Sequence, residues 1–142
     1  MTSPTRIVQL PADMELVLKV MPMPKDQNFN GDIFGGWVMA QVDIAASVLP
    51  TRYAGGRMST VAVNEFVFKQ PVHVGDVLSF YSKITRIGRT SIQVLVEVFA
   101  EHIHRQQEYV KVTEALVTYV AIDENGRPRL LPPQGDAGKT TS

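Results

Sequence analysis

The segment from Ile33 to Leu49 is apolar or small along its whole length and contains a single charge, Asp43. A surface helix normally carries a charged face, whereas a helix that is apolar all round is buried. The segment therefore predicts a central helix from about Gly35 to Leu49, ended by Pro50. A lone carboxylate in such a helix is costly to bury unless it is paired or used in chemistry. Asp43 is thus the first candidate for a functional residue.

Alternating apolar and polar residues predict strands on both sides of this helix. The five predicted strands are 15–21, 59–69, 77–87, 91–103 and 109–122. One long helix and about five long strands imply an α+β fold, with a curved antiparallel sheet wrapped around the helix. Such a sheet leaves part of the apolar helix uncovered, so we expect at least a homodimer. We predict one domain over residues 1–132 and a disordered tail over 133–142.

The composition restricts the classes of function. Fourteen basic residues balance fourteen acidic ones, which favours neither nucleic acid nor an anionic membrane as a partner. The chain has no cysteine, which excludes disulfides, thiolate metal ligands and a cysteine nucleophile. Neither a membrane span nor a signal-peptide pattern is found. These features predict a soluble, cytoplasmic protein that has no nucleic-acid or membrane partner.

Helical geometry separates Asp43 from the side of the helix predicted to face the sheet. At ~100° per residue, one narrow stripe is formed by Val38, Val42, Ala45 and Leu49. By the same ~100° step, Asp43 lies about 130° around the helix axis from the centre of this stripe. The neighbours on its side are small or apolar: Met39, Ala40, Ala46 and Ser47. Such surroundings suit a ligand cleft better than open solvent, although an isolated helix Asp is usually a solvent-facing residue.

Gly35 and Gly36 open the predicted helix. Glycine allows a ligand to approach backbone N–H groups that have no intrahelical partner, and the helix dipole adds positive potential there. This end is a candidate oxyanion site for a carbonyl under attack. Gly36 and Asp43 are ~10 Å apart along the axis at ~1.5 Å per residue, so one carbonyl cannot reach both in the same helix. We therefore predict a site shared between two antiparallel helices of a dimer.

The residues Asn28-Phe-Asn-Gly-Asp-Ile-Phe-Gly-Gly-Trp-Val-Met-Ala-Gln-Val-Asp43-Ile-Ala-Ala resemble the signature of hotdog-fold acyl-CoA thioesterases, and of the bacterial YciA-like branch in particular. The resemblance continues in order through 60–63, 68–76, 88–91, 96–98 and 118–129, and covers roughly residues 15 to 133. It implies a hotdog fold, subunits that pair and commonly assemble as a trimer of dimers, and hydrolysis of acyl-CoA to a free acid and coenzyme A. Coenzyme A is then part of the substrate, and no cofactor is expected.

The resemblance also implies roles for individual residues. Asp43 matches the catalytic acid, Asn28 matches an active-site asparagine, and Gly88, Arg89, Thr90 and Ser91 match a stretch at the coenzyme A site. Asp43 would either deprotonate a water or attack the thioester directly. Asn28 would orient that water or bind the thioester carbonyl, and Gly36 would stabilise the oxyanion. Arg89 is the expected phosphate contact, with Thr90 and Ser91 as hydrogen-bond donors.

Two other classes of function remain as alternatives. Hotdog hydratases and dehydratases generally pair a histidine with an acid near the helix start, but no histidine occurs between Pro11 and Val72. A non-catalytic acyl-CoA-binding or regulatory domain would have little reason to keep both Asn28 and Asp43. A metal site is not expected, because no carboxylate or cysteine spacing completes a ligand set around the three histidines.

Overall fold

The structure, a computed structural model, describes residues 7–133. In this range one long helix follows the second of six strands. The elements are β1 (Ile7–Val8), β2 (Glu15–Val20), α1 (Gly35–Ala54), β3 (Met58–Phe68), β4 (Asp76–Ile87), β5 (Ser91–His102) and β6 (Tyr109–Ala121). The five predicted strands are confirmed to within one residue at each end. The predicted α+β class is confirmed, with the short strand β1 added to the sheet.

All strand pairs are antiparallel, and the sheet has the order β1-β6-β5-β4-β2. β3 also pairs with β6, on the edge opposite β5. Among the described residues, β3 has no strand on its other side. Its outer edge therefore presents backbone groups that another strand could pair.

The sheet curls around α1, whose buried residues form the centre of the core. Val38, Val42 and Ala45 are fully buried and belong to one cluster with side chains of β4, β5 and β6. The predicted buried stripe is therefore largely right. The prediction was wrong about Ala46, which is buried rather than beside an open cleft, and about Leu49, which is only half-buried. Because the sheet is strongly curved, it covers the side of α1 that carries Ala46 as well as the predicted stripe.

The predicted end of the helix at Pro50 is wrong. α1 continues through Pro50 to Ala54, and Gly55, with φ 68°, ends it by donating from its N–H to the carbonyl of Thr51. Proline removes one helical hydrogen bond and usually disrupts a helix interior. Here Pro50 is buried in the last part of α1, so its packing offsets the lost bond, and the left-handed glycine provides the actual stop.

The chain ends depart from the prediction at one point. No strand was predicted before residue 15, but Ile7 and Val8 pair with Val110 and Tyr109 of β6. The predicted disordered tail lies outside the described residues, apart from Pro133. Within 7–133, no helix has the length and apolar character needed to cross a membrane.

Candidate active site

The Asp43 carboxylate is held by two hydroxyl groups that belong to strands of the sheet. Thr60 of β3 donates from Oγ1 to Oδ1 of Asp43 at 2.8 Å. The hydroxyl of Tyr119 on β6 lies 2.8 Å from the same oxygen and 2.7 Å from the main-chain oxygen of Asp43. The side chain itself is half-buried. Asp43 is thus a fixed carboxylate at the boundary between the core and the uncovered side of α1.

The register of the sheet brings these two hydroxyls together. Thr60 and Tyr119 are direct partners in the β3–β6 ladder. Tyr119 alternates with Val117 and Ala121 on the buried face of β6 and is 2% exposed. Burial, followed by the hydrogen bond to Asp43 and its negative charge, raises the pKa of Tyr119 far above its usual value. The phenol therefore stays protonated and acts as a donor.

Neither Thr60 nor Tyr119 was among the residues predicted for the site. The available signal was the position of Tyr119 on the apolar face of an alternating strand. A buried tyrosine hydroxyl needs a hydrogen-bond partner, and the only carboxylate in the central helix is a natural acceptor. The strand that faces Asp43 is determined by the register between distant segments of the chain. The alternation of residues in the sequence does not reveal this register.

Asn28 lies at the other end of the site, in the loop before α1. Its Oδ1 accepts hydrogen bonds from the N–H groups of Asn30 and Asp32 at 2.8 and 3.2 Å. The side-chain oxygen is therefore used to shape the loop, as in an Asx turn. Among the described residues, none accepts a hydrogen bond from Nδ2 of Asn28. The amide N–H₂ group remains as the donor at this position.

A cavity of about 340 Å³ lies beside Asn28 and the start of α1. Gly35, Val38, Phe68 and Lys69 are among the residues that line it. A Cβ atom on Gly35 would come within 3.1 Å of the Phe68 ring, so glycine permits this close approach. A Cβ on Gly36 would meet no heavy atom within 4 Å. No described side chain therefore crowds this position, and the role of Gly36 as an oxyanion site stays a prediction.

The four predicted coenzyme A residues form the tight connection between β4 and β5. The Gly88 N–H donates to the Ser91 carbonyl at 2.7 Å, and a Cβ on Gly88 would come within 2.8 Å of the Ser91 hydroxyl. The main-chain oxygens of Arg89 and Thr90 accept from Leu131 and Ala121 at 2.8 Å each. The Arg89 side chain is exposed. The turn therefore has a fixed backbone and presents its arginine to solvent.

Within one chain the predicted site residues form two separate groups. The turn at 88–91 leads into Ile92, which pairs with Tyr119, so it lies at the Asp43 end of the sheet. Asn28, Gly35 and Gly36 lie at the opposite end, where Phe68 pairs with Thr113. Gly35 and Asp43 are ~12 Å apart along α1 at ~1.5 Å per residue. The separation expected from the sequence is therefore present, and one subunit does not bring the two groups together.

His73 lies beside the loop that contains Asn28, whereas His102 and His104 lie at or just after the end of β5. His73 Nε2 is 3.0 Å from Oδ1 of Asp32, and the His73 N–H donates to Asp76 at 2.9 Å. The rings of His102 and His104 are 5.4 Å apart at the end of β5. Over residues 7–133 no group of three or more histidine and acidic side chains could hold a metal ion.

A long helix enclosed by a curled antiparallel sheet is the arrangement of the hotdog class of fold. The protein family described as "Thioesterase superfamily" matches this chain over residues 30–106, a range that includes all of α1. The chain belongs to this thioesterase superfamily and has the hotdog fold. The resemblance seen in the sequence is thereby confirmed.

Individual relatives agree over most of the chain. "Acyl-CoA thioester hydrolase YciA" of Salmonella typhimurium is 48% identical over 124 residues, which span 85% of this chain and 92% of the relative. The "hexameric thioesterase y2039 from Yersinia pestis" superposes with a TM-score of 0.82 and 44% identity, covering 87% of this chain and 99% of that one. HI0827, described as "a hexameric broad specificity acyl-coenzyme A thioesterase", has a TM-score of 0.81 and 41% identity, covering 89% and 86%.

Proposed function

We propose that this protein hydrolyses acyl-CoA thioesters to a carboxylic acid and coenzyme A, with Asp43 as the catalytic carboxylate. The observation that carries the proposal is the placement of Asp43 at the boundary between the core and the side of α1 that the sheet does not cover. A carboxylate fixed there by Thr60 and Tyr119 is oriented and still accessible. The similarity to proteins named acyl-CoA thioester hydrolases supports the choice of substrate class. The cytoplasmic location remains a prediction.

We further propose that the working site is formed by two copies of the chain. Exposed apolar side chains cluster on β3 and on the adjoining side of α1, next to the unpaired edge of β3. They are Met39, Ile44, Val61, Val63 and Phe68. A second copy that pairs its own β3 with this edge buries these side chains and satisfies the free backbone groups. The hexameric relatives support further assembly as a trimer of dimers.

The shared arrangement assigns complementary roles to the two groups of residues. With antiparallel helices, the Gly36 end of one subunit approaches Asp43 of the other. The free N–H groups at the start of α1 and Nδ2 of Asn28 are donors, which suits them to the thioester carbonyl and the oxyanion that develops on it. This favours carbonyl binding over water orientation for Asn28, because its oxygen already accepts two backbone hydrogen bonds.

Two mechanisms for Asp43 are separated by isotope labelling. As a general base, Asp43 removes a proton from a water that attacks the carbonyl, and coenzyme A leaves as the thiol. As a nucleophile, it forms a mixed anhydride that water then hydrolyses. A single turnover in ¹⁸O-labelled water places the isotope in the product acid in the first case. It places the isotope in the Asp43 carboxylate in the second case if water attacks the anhydride at that carbon.

The direct test of the proposed function is thiol release from a panel of acyl-CoA thioesters of different chain length, with the Asp43→Ala variant as control. We expect turnover by the wild-type protein and loss of turnover in the variant. Binding of acyl-CoA without thiol release would instead identify an acyl-CoA-binding domain. Addition or loss of water across a double bond of the acyl chain would identify a hydratase or dehydratase.

Arg89→Ala is expected to weaken substrate binding more than it slows the reaction. The exposed guanidinium at the β4–β5 turn is proposed to contact a phosphate of coenzyme A, away from the thioester. Loss of such a contact raises KM by about 5- to 20-fold while kcat changes by less than about 3-fold. Steady-state kinetics measure both parameters, and Arg86→Ala, which removes an exposed arginine three residues earlier on β4, is the matched control. A fall in kcat with an unchanged KM would contradict this role.

A further inference from the structure

The buried hydroxyl of Tyr119 lies 2.8 Å from Oδ1 of the proposed catalytic carboxylate. We propose that Tyr119 is a positioning residue: together with Thr60 it fixes Oδ1 of Asp43, so that Oδ2 is the oxygen that acts on the water or the thioester. This inference rests on the proposed function, since it concerns the same site. It assigns different tasks to the two oxygens of one carboxylate.

The geometry decides which acceptor takes the phenol proton. The hydroxyl lies near both Oδ1 and the main-chain oxygen of Asp43, but it has one proton to donate. The main-chain oxygen lies within α1 and already accepts a helical hydrogen bond. An ionised carboxylate is the stronger acceptor, so the proton is directed to Oδ1.

Two donors on one oxygen restrict the rotation of the carboxylate. Thr60 also donates to Oδ1, at 2.8 Å, whereas no described residue donates to Oδ2. The two hydroxyls come from β6 and β3, whose backbones are paired at this position. The carboxylate plane is therefore set by the sheet rather than by α1 alone. A catalytic group that is oriented before the substrate binds avoids part of the entropy cost of orienting it during the reaction.

The two hydroxyls are the hydrogen-bond donors to the Asp43 carboxylate among the described side chains. No described lysine, arginine or histidine lies within 4.0 Å of its carboxylate. The charged or titratable side chains on the elements packed against α1, besides Tyr119, are Glu15 and Lys19 of β2, Glu65 of β3, Asp76, Tyr81, Lys83 and Arg86 of β4, Glu97, Glu101 and His102 of β5, and Tyr109, Lys111 and Glu114 of β6. Arg52 of α1 itself is paired with Glu15 at 3.1 Å.

Tyr119→Phe removes the phenol oxygen and keeps the buried ring. We expect kcat to fall about 10- to 50-fold with KM changed by less than about 2-fold. Loss of a donor to the carboxylate favours its protonated form, so the acidic limb of the kcat/KM profile moves to higher pH. The matched control is Tyr53→Phe, which removes a half-buried hydroxyl that donates to the Pro132 carbonyl at 3.1 Å, outside the site. The acidic limb of the kcat/KM profile of Tyr53→Phe is expected to match that of the wild-type protein.

Thr60→Val provides a second variant, because it removes the other donor at an exposed strand position. It is expected to shift the acidic limb in the same direction. If the wild-type protein releases no thiol, the proposed function fails, and ¹³C NMR titration of the Asp43 carboxyl then tests the positioning claim. The midpoint of this titration should rise in Tyr119→Phe and Thr60→Val but not in Tyr53→Phe. An unchanged midpoint, or an active enzyme whose kcat and acidic limb survive both substitutions, overturns the proposal.

Discussion

Asp43→Asn is expected to lower kcat by at least about 1,000-fold, which corresponds to about 4 kcal/mol of lost transition-state stabilisation. The amide keeps the size of the side chain, and its oxygen still accepts hydrogen bonds from Thr60 and Tyr119. It has no negative charge, so it neither removes a proton from water nor attacks a carbonyl effectively. Thiol-release kinetics at saturating acyl-CoA measure the loss.

The control for this substitution is Asp123→Asn. Asp123 accepts backbone hydrogen bonds from Asn125 and Arg127 in the turn after β6 and forms no hydrogen bond with a proposed site residue among the described residues. We expect its activity to match that of the wild-type protein, and we expect Asp43→Asn to keep the wild-type thermal unfolding midpoint. An Asp43→Asn variant that retains more than about a tenth of the wild-type kcat would show that another group performs the chemistry.

Val63→Glu is expected to separate the subunits and remove activity at the same time. Val63 is an exposed apolar residue of β3, beside the unpaired edge where a second copy is proposed to bind. Two unpaired carboxylates brought into an apolar interface cost several kcal/mol. A separated subunit contains Asp43 but lacks the partner's Asn28 and Gly36, so kcat/KM should fall by at least about 100-fold. Sedimentation analysis and thiol-release kinetics on the same sample measure both effects.

Ile103→Glu is the matched control for Val63→Glu. Ile103 is also an exposed apolar residue, but it follows the end of β5 and lies away from β3. This variant should keep the dimer and its activity. A Val63→Glu monomer that is fully active would show that one subunit contains a complete site. An unchanged oligomer would show that the β3 surface is not the subunit interface.

The strands were predictable because alternation between buried and exposed positions directly reflects a sheet with one covered face. The end of α1 was not predictable in the same way. Pro50 is a strong local stop signal, but burial of its ring and the left-handed Gly55 decide the boundary in the folded chain. Ala46 was placed on the wrong side for a related reason, since the curvature of the sheet determines how much of a helix is covered.

The candidate site shows the same division between local and non-local information. Asp43 could be identified because a single charge in an apolar helix is a local anomaly. Tyr119 could not, because its contact with Asp43 depends on the register that aligns β6 with β3 and α1. Asn28 was predicted as a candidate donor or acceptor, and only the loop geometry shows that its oxygen already accepts two hydrogen bonds.

The most direct test of a site shared between two subunits is complementation between two inactive variants. Asp43→Ala and Asn28→Ala chains are produced together in equal amounts, and thiol release is compared with that of each variant alone. If Asp43 acts with Asn28 of the partner subunit, random pairing makes half of the dimers mixed, and each mixed dimer has one intact site. About a quarter of the wild-type activity should then return, since one site in four is intact. Activity no higher than the average of the two separate variants would show that each site is built within a single subunit.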